Sequence, residues 1–470
     1  MSITYKYNII KIKKMKIKKF ILLIGDILIL YASLVIALTI RYRAFDFNIF
    51  EKHLLPFSII YIIWLIIFYI HNLYELDIAK NNVEFSSALI RALIISGLIS
   101  VIFFYLVPNF AFGAITPKTN LFLNILVFIV LFYTWRHLFN FLAGSIKLRM
   151  NTAIIGYNLQ AIELAKEIIK NPQLGYRLKL IIKNHEEIDK TDFPEIKITE
   201  GIKNLKELLE QEKIAVVVVA PEIYHSPDLI QNLFECIRYK IDFVNLSEFY
   251  EKVAQRIPLT AINQVWFLEN ISQREKALYE ISKRIFDFFF AFLFLILSLP
   301  FWIIIALIIK FESLGPIFYK QTRVGQGGRP FNLFKFRSMI IDAEKDGPKM
   351  AQKNDPRITK FGKFLRKARL DELPQLWDII KGKMSFVGPR AERPEFHQEL
   401  KSKIPFYQER YLIKPGLSGW AQIKHGYTSS IEDNFEKLQY DLFYVKNRSF
   451  VLDLGIILKT INIVLRGGGR

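Results

Sequence analysis

Four apolar blocks alternate with short polar stretches over the first third of the chain. They cover residues 20–40, 54–70, 88–107 and 121–142. Each block approaches the roughly 20 consecutive apolar residues that a bilayer-spanning helix needs. Seven lysines precede the first block, and basic residues favour the cytoplasmic side of a membrane. The pattern therefore predicts four transmembrane helices in segment 20–145 and a basic cytoplasmic N-terminus at 1–19.

The hydrophobic period changes after residue 150. A short apolar run, a glycine turn and an amphipathic pattern follow one another in NTAIIGYNLQAIELAKEIIK, and KIAVVVVAPE is a continuous β-branched run. Such a run is typical of a parallel strand buried on both faces. A dinucleotide-binding loop has three glycines at fixed spacing. Here Gly156 is the only one, and Asn158 and Ala161 occupy the other two places. Segment 151–260 is therefore interpreted as a degenerate Rossmann-like α/β domain, and a structural or regulatory role is favoured over dinucleotide binding.

A fifth apolar block, at 288–309, has basic residues on both flanks, among them Arg284 and Lys310. Positive charge at both ends favours the same side of the membrane for both. Near the middle lie Ser298 and Pro300. Proline kinks a helix, and a serine hydroxyl can satisfy a carbonyl that the kink frees. A plain fifth span is the alternative, but these features favour a basic helix and re-entrant membrane hairpin at 273–310, kinked at Ser298 and Pro300. A mostly α-helical, membrane-associated domain is expected at 311–470.

Composition narrows the partners of this 470-residue chain. Hydrophobic residues make up 52% of it, yet the net charge is +20. A strongly basic chain binds either nucleic acid or anionic lipids and phosphate-bearing ligands, and the apolar blocks favour the second class. The single cysteine, Cys236, excludes an internal disulfide framework and a cysteine-based zinc site.

Two adjacent carboxylates, Asp371 and Glu372, lie in the basic stretch RKARLDELPQLWDIIKGKMSFVGPR. A carboxylate held among arginines stays ionised at neutral pH. In that state it can attack phosphorus or ligate Mg²⁺, which also takes oxygen ligands from substrate phosphates. From these residues alone a surface salt-bridge network remains the alternative. Placement at a membrane beside many basic residues favours a site, whose candidate phosphate ligands are Arg323, Lys335, Arg337, Arg366 and Arg390.

Residues 283–465 resemble the bacterial sugar transferases, the polyprenyl-phosphate hexose-1-phosphate transferases. The resemblance is carried, in order along the chain, by QTRVG, FKFRSM, DPRITKFGKFLRKARLDELPQLWD, GKMSFVGPRAERPEF, KPGLSGWAQI and LQYDLFYVKNRSFVLDL. The long members of the family also have N-terminal spans and a degenerate Rossmann-like domain, so the resemblance covers nearly the whole chain.

This resemblance implies a phosphoglycosyl transferase of the bacterial inner membrane with its catalytic domain on the cytoplasmic side. By that likeness Asp371 attacks a UDP-sugar, releases UMP and carries the sugar phosphate covalently before undecaprenyl phosphate accepts it. Asp371 and Glu372 would hold Mg²⁺, and the arginines at 366 and 390 would bind phosphate. The implied role is the first membrane step of exopolysaccharide, capsule, O-antigen or other glycan synthesis. A homodimer is an expectation of the same kind.

The chain departs from the family pattern after GWAQ. Many members continue with an asparagine-glycine-arginine turn, whereas Gln422 is followed here by Ile423, Lys424 and His425. Lys424 could supply the missing charge, and the identity of the sugar stays open. The alternative function is a non-enzymatic membrane scaffold or regulator of glycan assembly. The acid pair together with Arg366 and Arg390 favours the enzyme.

Overall fold

The structure is a computed structural model that describes residues 3–76, 79–106, 118–143, 149–156, 158–183, 193, 196–200, 205–221, 223, 227–239, 241–271, 276–343, 345, 347, 355–425 and 430–465. The first three positions of the predicted segment 273–310 and the stretch that follows His425 lie outside these residues. The chain divides into two compact units, Met1–Phe249 and Tyr250–Arg470.

Four long apolar helices open the first unit: α1 (Ile3–Tyr42), α2 (Phe47–Ile70), α3 (Val83–Leu106) and α4 (Lys118–Ala143). Asp46 caps the start of α2, where its carboxylate accepts hydrogen bonds from the backbone N–H groups of Asn48 and Ile49, as N-cap residues do. All four helices are long and apolar enough to cross a membrane. Many of their large apolar side chains are exposed, as expected of surfaces that face lipid rather than water.

A buried ion pair joins α1 to α4. Arg136 contacts the carboxylate of Asp26 at 2.5 Å, and both side chains are fully enclosed. The hydroxyl of Tyr74 donates to the same carboxylate at 2.8 Å, and the indole N–H of Trp135 donates to it at 3.1 Å. Charged groups at this depth are costly unless they are paired and hydrogen-bonded, so this network ties the two helices together.

A five-stranded parallel sheet makes up the rest of the first unit, in the order β3-β2-β1-β4-β5. Its elements are β1 (Met150–Ile155), α5 (Leu159–Lys170), β2 (Tyr176–Lys183), β3 (Lys197–Glu200), α6 (Leu205–Gln211), β4 (Val216–Val219), α7 (Pro227–Glu235) and β5 (Asp242–Asn245). The next helix, α8 (Leu246–Ala254), begins in the first unit and ends in the second. All four residues of β4 are buried and pair in parallel with β1 and β5. The predicted strand buried on both faces is therefore confirmed, as is a largely helical chain with apolar N-terminal helices and a parallel sheet.

Gly156 lies at the end of β1 with a φ of +90°. A Cβ atom there would lie 2.6 Å from the Cβ of Ala220 and 3.0 Å from Ile223. The glycine is therefore required by a left-handed backbone and by the close approach of the segment after β4. Protein packing accounts for it without a bound nucleotide.

The second unit combines a long apolar helix with short helices and two small sheets. Its elements are α9 (Gln264–Asn270), α10 (Ala277–Glu312), β6 (Phe318–Val324), β7 (Pro330–Phe336), α11 (Lys360–Lys367), α12 (Gln375–Ile380), β8 (Ser385–Val387), α13 (Pro394–Lys403), β9 (Gly416–Ser418), α14 (Trp420–Lys424), α15 (Ile431–Asn447) and α16 (Phe450–Leu465). β6 and β7 form an antiparallel hairpin, and β8 pairs with β9 in parallel.

The helix α10 passes through Pro300 without a break. Pro300 has no backbone N–H, so the carbonyl of Ile296 loses its helical hydrogen-bond donor. The hydroxyl of Ser298 donates instead to the neighbouring carbonyl of Leu295, at 3.0 Å. The chain does not fold back at this point, so any re-entry into the membrane comes from a bend in one helix rather than from two separate arms. Only 11% of its most apolar stretch is buried within the protein, which leaves the remainder for lipid.

One face of α10 packs on its own unit from end to end. Ala291 and Leu295 pack with Ile379 and Met384, and further along Ile305 and Ile309 pack with Phe336 and Leu365. The backbone N–H of Phe361 donates to the carboxylate of Glu312 at 2.8 Å, at the last residue of the helix. The helix is therefore a fixed part of this unit rather than a detached anchor.

Candidate active site

A tight turn between α11 and α12 presents the acid pair. Arg369 adopts a left-handed conformation, with a φ of +55°, and so ends the helical path that leads from α11. Residues Leu370–Glu372 then form a single 3₁₀ turn, and Pro374 immediately precedes α12. Asp371 and Glu372 are each only 7% exposed. Because charged side chains are seldom buried without partners, the surroundings of each carboxylate decide its role.

Glu372 is surrounded by cations from three parts of the chain. Lys335 of β7 lies 3.2 Å from its Oε1 and Arg390, after β8, lies 3.1 Å from the same oxygen. Arg369 lies 3.5 Å from Oε2. Burial alone would raise the pKa of Glu372, but Lys335, Arg390 and Arg369 together hold it well below its usual range. Glu372 is therefore a permanently ionised group that holds three basic side chains in place.

Asp371 has a different environment. Within the described part of the chain, its carboxylate makes no hydrogen bond and no ion pair. Burial raises the pKa of Asp371, and the neighbouring charge of Glu372 raises it further, against the opposing effects of Lys335, Arg366 and Arg390. A buried carboxylate without a protein partner, with cations close by, has its oxygens available to a ligand.

Arg366 lies on α11 beside the pair. Its Nε donates to the hydroxyl of Ser338 at 2.8 Å, and in the described structure its two terminal nitrogens make no other hydrogen bond. Burial lowers the pKa of Arg366, and the negative charge of Asp371 is the largest effect that opposes this lowering. The two terminal nitrogens are thus free to bind an anion in the bidentate manner typical of arginine.

Arg323 of β6 lies near Arg390 and Lys335. It donates to the carbonyl of Ala391 at 3.1 Å and to the side chain of Gln321 at 3.0 Å. Burial lowers the pKa of Arg323 to about 10, although Glu392 opposes this effect and Arg390 adds to it. The structure therefore places Lys335, Arg366 and Arg390 around the two acids, with Arg323 beside Arg390 and Lys335.

Arg337 is not part of this cluster. Its guanidinium donates to the carbonyl of Leu314 at 2.7 Å and to that of Ser313 at 2.8 Å. These are the residues that follow the last turn of α10. Arg337, which the sequence pattern groups with the phosphate ligands, thus holds the end of the long helix.

The sequence interpretation missed two contributors to the site. Ser338 orients Arg366, and the motif FKFRSM that contains it was a signal. Arg410 is fully buried, donates to the backbone carbonyl of Arg390 at 3.1 Å and pairs with Asp441 at 2.6 Å. Arg410 therefore supports the chain that carries Arg390. No local pattern distinguishes it from a surface arginine.

A divalent cation fits this donor set only with help from a substrate. The described residues contain no group of three or more metal-ligating side chains. Mg²⁺, however, is commonly held by one or two carboxylates plus substrate phosphates. In the described structure the carboxylate oxygens of Asp371 are available to a metal ion, and the Oε2 of Glu372 makes only one long ion pair, with Arg369 at 3.5 Å. These two residues therefore fit Mg²⁺ that arrives with a phosphate ligand.

Comparison with known proteins points to one family. Residues 278–467 match the family model described as bacterial sugar transferase. The chain is 43% identical over 192 residues to the UDP-N-acetylgalactosamine-undecaprenyl-phosphate N-acetylgalactosaminephosphotransferase of Aeromonas hydrophila, which covers 41% of this chain and 45% of that protein. It is 41% identical over 183 residues to the UDP-glucose:undecaprenyl-phosphate glucose-1-phosphate transferase of Klebsiella pneumoniae, over 38% of this chain and 39% of that protein. The matches thus span less than half the length of these two relatives.

A shorter relative is matched almost completely. The exopolysaccharide production protein PSS of Rhizobium leguminosarum bv. phaseoli is 38% identical over 199 residues, which are 40% of this chain and 98% of that protein. The family match therefore falls on the unit that contains the acid pair.

Proposed function

Since this chain belongs to the bacterial sugar transferase family, we propose that it transfers a sugar 1-phosphate from a UDP-sugar to undecaprenyl phosphate, giving an undecaprenyl-diphospho-sugar and UMP. The observation that carries the proposal is the contrast within the acid pair. Asp371 has no hydrogen-bond or ion-pair partner in the described structure, whereas Glu372 has three cationic partners. One acid is thereby available for reaction and the other organises positive charge.

In the first step a carboxylate oxygen of Asp371 attacks the phosphorus that bears the sugar. The bond from that phosphorus to the bridging oxygen breaks, and UMP leaves with the electron pair. The sugar phosphate stays on Asp371 as an acyl phosphate. Lys335 and Arg390, held by Glu372, lie where the negative charge of the diphosphate gathers, so they stabilise the transition state without reorganising.

In the second step an oxygen of undecaprenyl phosphate attacks the same phosphorus. The acyl phosphate bond breaks, and Asp371 returns as a free carboxylate. Division of the transfer into two displacements lets two bulky substrates use one nucleophile in turn. Arg366, with its terminal nitrogens free in the described structure, binds phosphate oxygens in both steps. Mg²⁺, held by Asp371 and Glu372 together with substrate phosphate, would supply further charge neutralisation.

Membrane association follows from α10 in this proposal. Both ends of the helix contact the same unit, through Arg284 at one end, which donates to the carbonyl of Ile379 at 2.6 Å, and through Glu312 at the other. A helix whose two ends stay on one polar unit enters and leaves the bilayer on the same side. This supports a re-entrant helix with the catalytic unit on the cytoplasmic face of the inner membrane, where both substrates can reach Asp371.

Cysteine labelling tests this topology. In a Cys236→Ser background, single cysteines at positions 278 and 320 should react with a membrane-impermeant reagent from the same side of inverted vesicles. Reaction from opposite sides would restore a plain fifth span.

Release of UMP tests the reaction itself. Purified full-length protein with Mg²⁺, undecaprenyl phosphate and a panel of UDP-sugars should release UMP from at least one donor. Asp371→Asn should reduce that release by at least ~10³-fold because the nucleophile is lost, and it should abolish covalent labelling by a donor radiolabelled in the sugar. Asp342→Asn makes the same chemical change at an exposed position and should leave both unchanged.

Two results would count against the proposal. Full labelling of Asp371→Asn would exclude the aspartyl intermediate, whereas absence of UMP with every donor would favour the scaffold alternative.

A further inference from the structure

A polar cleft lies beside the first turns of α10, and none of the residues that line it is among those that pair with Glu372 in the described structure. Its charged lining consists of four basic residues, Lys283, Arg284, Lys414 and Arg448, and two acidic ones, Glu280 and Asp287. The remaining lining residues include Ser385 of β8 and Tyr444 of α15. Basic residues therefore outnumber acidic ones two to one on this surface.

Three of the four basic residues already have partners. Lys283 pairs with Asp453 at 2.5 Å, Arg284 donates to the backbone carbonyls of residues 379 and 380 at 2.6 Å each, and Arg448 pairs with Glu280 at 2.6 Å. Asp453 is also satisfied, since the hydroxyl of Tyr444 donates to its second oxygen at 2.6 Å. These contacts fix the walls of the cleft.

Lys414 is the exception. It is half-buried, and among the residues that the structure describes its ammonium group makes no hydrogen bond and no ion pair. Burial lowers the pKa of Lys414 and the neighbouring charge of Arg284 lowers it further, whereas Asp287 and Glu280 oppose this; Lys283 adds the smallest lowering effect. A partly desolvated ammonium beside two other cations favours an anion in the space between them.

The cleft has room for a small anionic group. It measures about 310 Å³ with its solvent-open mouth included, and its cavity volume is about 20 Å³. An enclosed space of that size fits one water-sized group, such as a phosphoryl oxygen.

Exposed apolar side chains border the cleft. Leu278, Ile281 and Ile285 lie on the same turns of α10 as the charged lining and are exposed. At the start of α16, Val451 is 83% exposed, and the ring of Phe450 packs edge-on against Tyr279 at 5.4 Å. A polar pocket bordered by exposed apolar residues is typical of the boundary between water and lipid.

From this geometry we infer that the cleft of Lys283, Arg284 and Lys414 binds the phosphate headgroup of an anionic bilayer lipid, whose acyl chains lie along the apolar border formed by α10 and α16. The site would hold the N-terminal end of α10 at the membrane surface. The inference rests on the placement of α10 at a membrane and not on the transfer reaction.

Lipid titration of the detergent-solubilised full-length protein tests the site. The midpoint of thermal unfolding is followed against short-chain phosphatidylglycerol, since a ligand that binds only the folded state raises that midpoint. Lys414→Met should weaken the apparent affinity by about 10-fold or more, because a charge-assisted hydrogen bond is lost. Lys414→Arg should restore it. Lys401→Met, which removes the same charge from an exposed position on α13, should behave as the unaltered protein does.

Comparison ligands identify the source of the phosphate. Phosphatidylcholine with the same chains and inorganic phosphate should each bind more weakly than phosphatidylglycerol. Equal affinity of Lys414→Met and the unaltered protein for phosphatidylglycerol would overturn the inference, and so would inorganic phosphate that binds as tightly as the lipid. Loss of binding confined to undecaprenyl phosphate would also overturn it, because the cleft would then belong to the acceptor site. Should Lys414→Met not fold, Lys414→Gln provides the same test.

Discussion

Gly362 of α11 offers a steric test of how the site is assembled. A Cβ atom at this position would lie 2.1 Å from the backbone oxygen of Ser338 and 2.7 Å from the hydroxyl oxygen of Thr359. Ordinary carbon-to-oxygen contacts are about 3.3 Å or longer. In Gly362→Ala, α11 and the segment at Ser338 must therefore separate by about 1 Å.

The displacement reaches the active site through Arg366, one turn further along α11. Its hydrogen bond to the hydroxyl of Ser338 is 2.8 Å long, so an added ~1 Å takes it beyond hydrogen-bonding range. A misplacement of about 1 Å near a reacting group can cost roughly 10²-fold in rate. Overpacking destabilises a protein by typically 1–3 kcal/mol. Alanine stabilises a helix by about 0.5–1 kcal/mol relative to glycine, which offsets part of that loss. The loss of activity should therefore exceed what the loss of stability explains.

Two measurements separate these effects. The unfolding midpoint of Gly362→Ala should fall by only a few degrees, as expected for ~1–2 kcal/mol in a unit of this size, whereas UMP release should fall roughly 10²-fold at a temperature where the protein is folded. Gly97→Ala is the matched control, because no atom lies within 4 Å of a Cβ at that position of α3. Unchanged turnover in Gly362→Ala would refute the reasoning, as would a loss that only appears once the protein unfolds.

Three further outcomes are expected. Ionised Asp371 is the attacking form and its pKa is raised, so activity should fall as the pH drops through that pKa. Glu372→Gln removes a negative charge that raises the pKa of Asp371, so the acid limb of the pH–rate profile should move to lower pH. A limb that stays in place or moves up would contradict this. Asp26→Ala leaves Arg136 buried without its partner, which should cost about 3–5 kcal/mol, and adding Arg136→Met should recover part of the unfolding midpoint; no recovery would argue against the pair. Arg337→Met should lower the unfolding midpoint but leave the KM for the donor unchanged, because the guanidinium of Arg337 holds the end of α10. A raised KM with unchanged stability would instead show that Arg337 binds substrate phosphate.

Local patterns were sufficient for several parts of this protein. Long apolar stretches indicated the five helices that, among the described residues, are able to cross a membrane, because helix length and hydropathy are properties of consecutive residues. The β-branched run at 216–219 indicated a strand buried on both faces for the same reason. The acid pair and the basic residues around it were also visible, since their residue types and their resemblance to a known family are carried by the sequence itself.

What the two carboxylates do differently was decided only in three dimensions. Asp371 and Glu372 are neighbours in sequence, yet one pairs with Lys335, 37 positions away, and the other with no described residue. Arg337 and Lys335 stand two positions apart, yet they serve the end of a helix and the acid pair respectively. Lys414 meets Arg284 across 130 positions in a cleft that no local pattern indicates. Such roles depend on which distant segments pack together and on which charges are then removed from water, and spacing along the chain determines neither.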